Sequence, residues 1–275
     1  MQGIPLNERK RLGALLDDRP QTEVMAMIPQ FSQAETDNFV APPAQIPEAL
    51  GVLMFNMERG VNLPEIQEFL RDCPDIQPFD VILANELDDG CARSGNKNTA
   101  RELAQAFGLN YAWGLEFIEL VNDENAKGFH GNAVFSRWPI RRAGVIRLPE
   151  QYNWYFDRQK RIGARVAIVC SLDIGGREVG AVSVHLENRA DSEGRAAQMA
   201  VVYDEIRRSF APDTPVMIGG DLNTNTFDGR AKEDIGAIAA DPALRRRCLE
   251  DVGSFEPLLP LCAADGYEIV PLSLI

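Results

Sequence analysis

Four short apolar runs in this chain each close on a polar residue with chemistry of its own. Val52-Leu-Met-Phe closes on Asn56, and Phe79–Ala84 runs into Glu86. Glu178–Val184 closes on His185, and Val216-Met-Ile, followed by two glycines, reaches Asp221 and then Asn223. Apolar runs of this length read as buried strands. Ligand sites in sheet proteins often lie just beyond the carboxyl ends of strands. The repetition therefore limits the chain to folds that set several strands side by side with these polar ends on one rim.

The densest instance is Pro215–Thr226. Gly219 and Gly220 are expected to let the backbone turn tightly. If the chain stays extended beyond them, Asp221 and Asn223 fall on one side of it. A carboxylate oxygen suits Mg²⁺, and an amide can bind a phosphoryl oxygen. Taken alone, the stretch fits a polar turn after a strand equally well. Asn56 likewise reads as a strand-end cap, Asp88 and Asp89 as a solvated acidic loop, and His130 as structural. Repetition of the strand-end pattern is what raises Glu86 and His185, because carboxylates at matching ends of two strands can share one hard cation.

Residues 1–45 read as an N-terminal extension with short helices at Leu12–Leu16 and Val24–Ile28, and no chemistry is assigned to them. Ala41–Pro47 reads as an extended linker, and residues 46–275 form the main domain. Within it, helical spacing covers Leu63–Leu70, Asn96–Phe107 and Asp191–Phe210, the last with Ala197, Ala200, Val201 and Ile206 on its apolar face. Further helices are expected at Ala231–Ala240, Ala243–Glu250 and Pro257–Ala264. Tyr111–Leu120 and Gly131–Ile140 read as strands, with Val145–Leu148 pairing with the second. Arg165–Leu172 and Glu178–His185 form a hairpin about Gly175-Gly176. Glu150–Lys160 is an aromatic loop that could line a substrate mouth or pack on the core. Alternating strands and helices with hairpins between them predict an α/β fold with mixed sheets flanked by helices.

Charge narrows the partners. The chain has 28 basic and 41 acidic residues, a net charge of −13, which repels long polyanions while leaving room for a local basic cleft that binds one phosphate. Only Arg137–Arg147, Arg158–Arg165 and Arg245–Arg247 are locally basic. The five cysteines are scattered and show no metal-finger spacing, a pattern of reduced thiols. With no signal-peptide stretch and no membrane-length apolar run, the expected location is cytoplasmic.

Phe55-Asn56, Asn85-Glu86, Gly131-Asn-Ala133 with Ser136-Arg137, His185-Leu186 and Gly220-Asp-Leu-Asn223 stand in one order along the chain. In that order they resemble the endonuclease/exonuclease/phosphatase superfamily, over about residues 50–265. The resemblance implies a four-layer α/β/β/α sandwich of two mixed sheets flanked by helices, and phosphoester hydrolysis with Mg²⁺ or Mn²⁺. It implies Glu86 as principal metal ligand with Asn56 beside it, and Asp221 orienting or deprotonating the attacking water. Asn223 and His185 would hold phosphoryl oxygens, with Asn132 and Arg165 near the phosphate. The superfamily's late Ser-Asp-His motif, and the aspartate-bearing strand before it, have no counterpart here. The expectation is a truncated reading frame, hence a sandwich incomplete at its C-terminal end; the alternative is loss of the last catalytic element. The function expected is a Mg²⁺-dependent phosphoesterase acting on a small phosphoester or phospholipid headgroup. The alternatives are a nuclease acting on DNA or RNA and an inactive family member that binds without turnover.

Overall fold

A computed structural model describes residues 1–156, 160–224 and 232–270. The outer part of the expected aromatic loop (157–159), Asn225 and Thr226, the start of the helix expected at Ala231 and the apolar tail 271–275 lie outside the described residues.

The first sheet contains β1 (Ala34–Asp37), β2 (Val52–Arg59), β3 (Val81–Asp89), β4 (Asn110–Glu119), β5 (Phe129–Ser136) and β7 (Arg161–Gly163). Its order is β1-β4-β5-β3-β2, and β7 pairs with β4. The second contains β6 (Ile140–Arg147), β8 (Val166–Ile174), β9 (Arg177–His185) and β10 (Val216–Asp221), in the order β10-β9-β8-β6. Both sheets are mixed. β2 runs parallel to β3 and β10 parallel to β9, and the remaining pairs are antiparallel.

Alternation along the strands builds the layers, because successive side chains leave a strand on opposite faces. Val81 and Leu83 of β3 meet Val166, Ile168 and Cys170 of β8 in a core between the sheets. Their neighbours Ile82 and Ala84 face the other way, toward α1 (Leu6–Leu15), α2 (Gln21–Ala26), α3 (Leu63–Asp72) and α4 (Thr99–Phe107). On the far side, Val182 and Val184 of β9 pack on α5 (Ser192–Ser209) and α8 (Leu258–Ala264). Two shorter helices, α6 (Lys232–Ala240) and α7 (Pro242–Glu250), follow β10. The result is an α/β/β/α sandwich of two mixed sheets with eight α-helices among the described residues, the expected fold class. None of these helices is long and apolar enough to cross a membrane.

Several local expectations change. β6 pairs with β8, not with β5 as expected for Val145–Leu148. Chain between Ser136 and Ile140 carries it from one sheet to the other. β3 continues through Asp89, so Asp88 and Asp89 are buried strand residues and not a solvated loop. On α5 the buried face is Met199, Val202, Tyr203 and Ile206, while Ala197 is exposed. Larger side chains at helical spacing take the contact that the alanines were expected to make. Much of the expected N-terminal extension, through Asp37, packs on the same core. Leu12, Val24 and Phe31 join the helix–sheet cluster, and β1 extends the first sheet against β4.

Gly219 and Gly220 lie inside β10, not in a turn after it. Their role is close approach. A Cβ on Gly220 would stand 2.1 Å from the Val184 carbonyl oxygen, and the residue has φ +133°. A Cβ on Gly219 would stand 2.4 Å from Met54 Sδ, the flexible end of a side chain. Gly220→Ala is therefore expected to cost about 3 kcal/mol or more, since backbone cannot move aside. Gly219→Ala should cost distinctly less, about 1–2 kcal/mol, because methionine can repack. Urea midpoints of the two variants check the order; equal midpoints would refute the close-approach account.

Candidate functional site

The two parallel strand pairs bring the polar ends together. In the first sheet Asn56 is in register with Asn85, and in the second Asp221 is in register with His185. One buried amide ties the pairs. Asn85 Nδ2 donates to the Val184 carbonyl at 3.1 Å, and its Oδ1 accepts from the Asp221 N–H at 2.6 Å. Ser183 Oγ adds a bond to the Ala84 carbonyl at 3.0 Å.

A bulge then aims Glu86. The register between β3 and β5 shifts between Ala84 and Leu87, both of which pack toward the helices. An inserted residue leaves Asn85 and Glu86 on the side of the second sheet. Glu86 takes φ +57°, unusual for a side chain of its size. Its N–H donates to Asn132 Oδ1 at 3.1 Å. Glu86 Oε1 comes to 4.0 Å of His185 Nε2, and Asp221 Oδ2 reaches the same atom at 4.0 Å. Two carboxylates from different sheets thus converge on one buried imidazole nitrogen. Asn56 Nδ2 donates to Asp221 Oδ2 at 2.9 Å.

The chain turns after Asp221 and does not stay extended. Asn223 has φ +48°, and its N–H donates to Asp221 Oδ1 at 3.0 Å. Its amide Nδ2 donates to the Leu186 carbonyl at 2.9 Å. Asn223 thereby fixes the turn and the Asp221 rotamer. Arg165 is also heavily engaged. It bonds Glu116 Oε1 at 2.9 Å and Glu187 Oε2 at 3.2 Å, and Nη1 lies 2.9 Å and 3.0 Å from the two ring nitrogens of His185. Its position is beside the site, within a buried ion network.

Three residues of this site were not singled out from the sequence. Glu116, fully buried on β4, accepts from His185 Nδ1 at 3.2 Å. Its signal was an acid in the middle of an apolar strand, where a charge needs a buried partner. Glu187 accepts from Trp154 Nε1 at 2.8 Å and from Arg165. Trp154 of the aromatic loop is thus packed into the core. Arg161 lies between Phe117 and Trp154, 4.1 Å and 4.0 Å from the ring centroids. It is buried, and its Nε has no hydrogen-bond partner. Burial and the neighbouring Arg165 push its guanidinium down to about 10. Asn132 Nδ2 is likewise buried and unpaired.

Electrostatics keep the carboxylates ionised. Burial works to raise Glu86, but electrostatic interaction with His130, His185 and Arg165 outweighs it and holds the carboxyl below its ordinary value. The same opposition is stronger at Glu116, where burial is overcome by His185 and Arg165 and the carboxyl is driven far below the usual range. The donor set suits a hard cation: carboxylate oxygens from Glu86 and Asp221 with the amide of Asn56 at hand. Among the described residues, no group of three or more His, Cys, Asp or Glu side chains is arranged to hold a metal. Mg²⁺ binds through one or two carboxylates and keeps several waters, so the residues present fit it without such a cage.

The family profile described as Endonuclease/Exonuclease/phosphatase family matches residues 55–238. No curated protein sequence matches the chain. Solved structures similar to it include the human Nocturnin catalytic domain with bound sulfate anion, at 20% identity and TM-score 0.49, covering 83% of this chain and 81% of that one. An endonuclease/exonuclease/phosphatase from Beutenbergia cavernae DSM 12333 is 21% identical, with TM-score 0.48 and coverage of 64% and 48%. Sphingomyelinase C from Streptomyces griseocarneus is 18% identical, with TM-score 0.45 and coverage of 70% of each chain. The chain spans about half the length of the Beutenbergia structure.

The lowered carboxyl of Glu116 makes the fold acid-sensitive in a defined direction. A carboxyl depressed in the folded state adds stability above its unfolded value, and that stability is lost as pH falls toward the folded value. Denaturant midpoints of the native chain should therefore fall steadily from about pH 5 downward. Glu116→Gln should lose about 3 kcal/mol at neutral pH, with Arg165 and His185 left facing a neutral amide, and show a shallower acid slope. Parallel slopes for the two proteins would contradict the assignment.

Proposed function

The chain belongs to the endonuclease/exonuclease/phosphatase family, and from that premise we propose that it is a metal-dependent phosphoesterase acting on a small phosphoester, such as a phospholipid headgroup, by in-line attack of water. The observation that carries this reading is the convergence of Glu86 and Asp221, each 4.0 Å from His185 Nε2, beside unpaired buried donors on Asn132 and Arg161. Carboxylates for a cation and a water, next to aimed N–H groups for an anion, are what phosphoryl transfer requires.

Glu86, with Asn56 beside it, would hold Mg²⁺ or Mn²⁺, which when bound supplies Lewis-acid polarisation of a phosphoryl oxygen. Asp221 orients the attacking water and takes its proton. Its carboxylate is held in place for that task by the Asn56 amide and the Asn223 N–H. His185 presents Nε2 toward the phosphoryl group while Nδ1 rests on Glu116. Once protonated it donates to a phosphoryl oxygen, and the buried Glu116 charge supports the imidazolium. Asn132 binds through Nδ2, its other end being fixed by the Glu86 N–H. Arg161, held between two aromatic faces, supplies a fixed positive charge at the rear of the site.

Net charge supports the substrate class. At −13 the chain opposes a long polyanion, while Arg161, held between two rings, gives one phosphate group a local positive charge. Arg59 Nε already stands 3.8 Å from Glu86 Oε2 at the mouth of the site.

The expected outcome is hydrolysis of a chromogenic phosphodiester with Mg²⁺ or Mn²⁺ and none in chelator. Asp221→Ala should lower the rate by roughly two orders of magnitude or more. Full turnover in chelator, or an unchanged rate in that variant, would reject the proposal. Preferential, salt-sensitive cleavage of DNA would instead move the substrate to nucleic acid.

A further inference from the structure

A second bulge feeds the site, in β4. Leu115 is in register with Gly131 of β5 and Phe117 with His130, so Glu116 is an inserted residue. Leu115 and Ile118 both pack toward the helices. The insertion therefore leaves Glu116 and Phe117 together on the side of the second sheet. From there Glu116 meets His185 Nδ1 at 3.2 Å and Arg165 Nη1 at 2.9 Å. The Phe117 ring centroid lies 4.1 Å from Arg161 Cζ and 5.5 Å from Arg165 Cζ. One bulge thus supplies both the acid beside His185 and the ring beneath the two buried arginines.

An inserted residue interrupts the strand ladder, and interior carbonyls need donors. Arg147, the last residue of β6 in the other sheet, provides them. Its Nη2 donates to the Leu115 carbonyl at 2.7 Å, and its Nη1 to the Glu116 carbonyl at 3.3 Å. The same two nitrogens donate to the Phe31 carbonyl at 2.6 Å and the Ala164 carbonyl at 2.9 Å. All four hydrogen bonds of this side chain among the described residues go to main-chain oxygens. Arg147 Cζ also lies 4.8 Å from the centroid of the Phe31 ring. Burial pushes the guanidinium down to about 10, against the pull of the Glu116 charge, so it remains charged at neutral pH. Gly163 lets the neighbouring strand lie directly on the bulge, since a Cβ there would stand 2.1 Å from the Glu116 carbonyl oxygen.

We propose that Arg147 is a positioning residue: its guanidinium pins the β4 bulge, and so holds Glu116 against His185 and Phe117 against Arg161. An unpinned bulge can slide by one residue, and a one-residue slip turns a side chain to the other face. Sliding one way turns Phe117 toward the helices; sliding the other way turns Glu116. A planar fork of donors spans carbonyls from separate segments, whereas an ammonium is a single point of charge. The kinetic part of this proposal rests on the phosphoesterase reading; the positional part does not.

The test is Arg147→Lys in the full chain, which keeps the positive charge and removes the fork. The chain has only two histidines, so its downfield imidazole N–H resonances are few. The one from His185 is identified as the resonance that Glu116→Gln moves upfield. Arg147→Lys should move the same resonance upfield, and should lower kcat about tenfold with KM little changed. In the Glu116→Gln background the lysine should cost less than about twofold, because the two residues act through one contact. A purely structural arginine predicts a lower melting point with the native His185 resonance and native kcat, and that result overturns the proposal. So does a kcat cost that is equally large with and without Glu116. Should Arg147→Lys not melt cooperatively, the native chain decides. Its Arg147 Nη protons, identified by their proximity to the Phe31 ring, should be resolved and slow to rotate; a single averaged signal overturns the clamp. A shifted His185 resonance in a chain with no phosphoesterase turnover upholds the clamp and rejects the function it serves. Turnover that Arg147→Lys leaves intact does the reverse.

Discussion

One end of the two sheets is drawn together by hydrogen bonds that only a glycine-lined strand permits. Asn85, fully buried, reaches from β3 to the Val184 carbonyl and the Asp221 N–H of the second sheet. Facing sheets normally stand about 10 Å apart with side chains interleaved. Gly219 and Gly220 remove the side chains that would keep β10 at that distance, and Met54 and the Asn85 amide oxygen of the first sheet occupy the space. The approach allows Asn56 from one sheet to bond Asp221 from the other, and places Glu86 beside His185. Without it the polar strand ends would line two separate rims.

Bringing these groups together buries charge, which is costly unless each is paired. Pairing here is extensive. Arg165 joins Glu116 and Glu187, Asp88 joins Arg93 and His130, and Glu187 also takes the Trp154 indole. Removing one member leaves others unpaired in a low-dielectric setting, so the network behaves as a unit. It also gives His185 a defined orientation, which a lone strand-end histidine would not have. Of the eight buried side-chain polar atoms without partners among the described residues, three, on Asn132, Arg161 and His130, lie around this network.

Much of this was legible in the residues. Short apolar runs marked the strands, and the strand-end pattern picked out Asn56, Glu86, His185 and Asp221. The structure brings all four within reach of one another. Asn132 was expected near a phosphate; its oxygen accepts from the Glu86 N–H, and its buried Nδ2 has no partner among the described residues. Asn223 and Arg165 sit at the site but are engaged with Leu186, Glu116 and Glu187. Glu116 was hidden because an acid inside an apolar strand has meaning only once its partners, 49 and 69 residues away, are known. Arg161 was hidden in part for the same reason: of the two rings that hold it, Trp154 is a near neighbour in sequence, but Phe117 comes from a strand 44 residues earlier.

The sequence by itself determined the element types, the mixed α/β class and the polar residues that close four strands, because these follow from local periodicity and from steric limits on single residues. Tertiary structure decided the rest. It determined that Gly219 and Gly220 serve close approach and not a turn, that Asp88 is a buried strand residue, and that β6 joins the second sheet. It also decided which carboxylate orients His185. Each of these depends on distances between strands that neither propensity nor spacing encodes, since a hydrogen bond or an excluded Cβ exists only after the sheets have met.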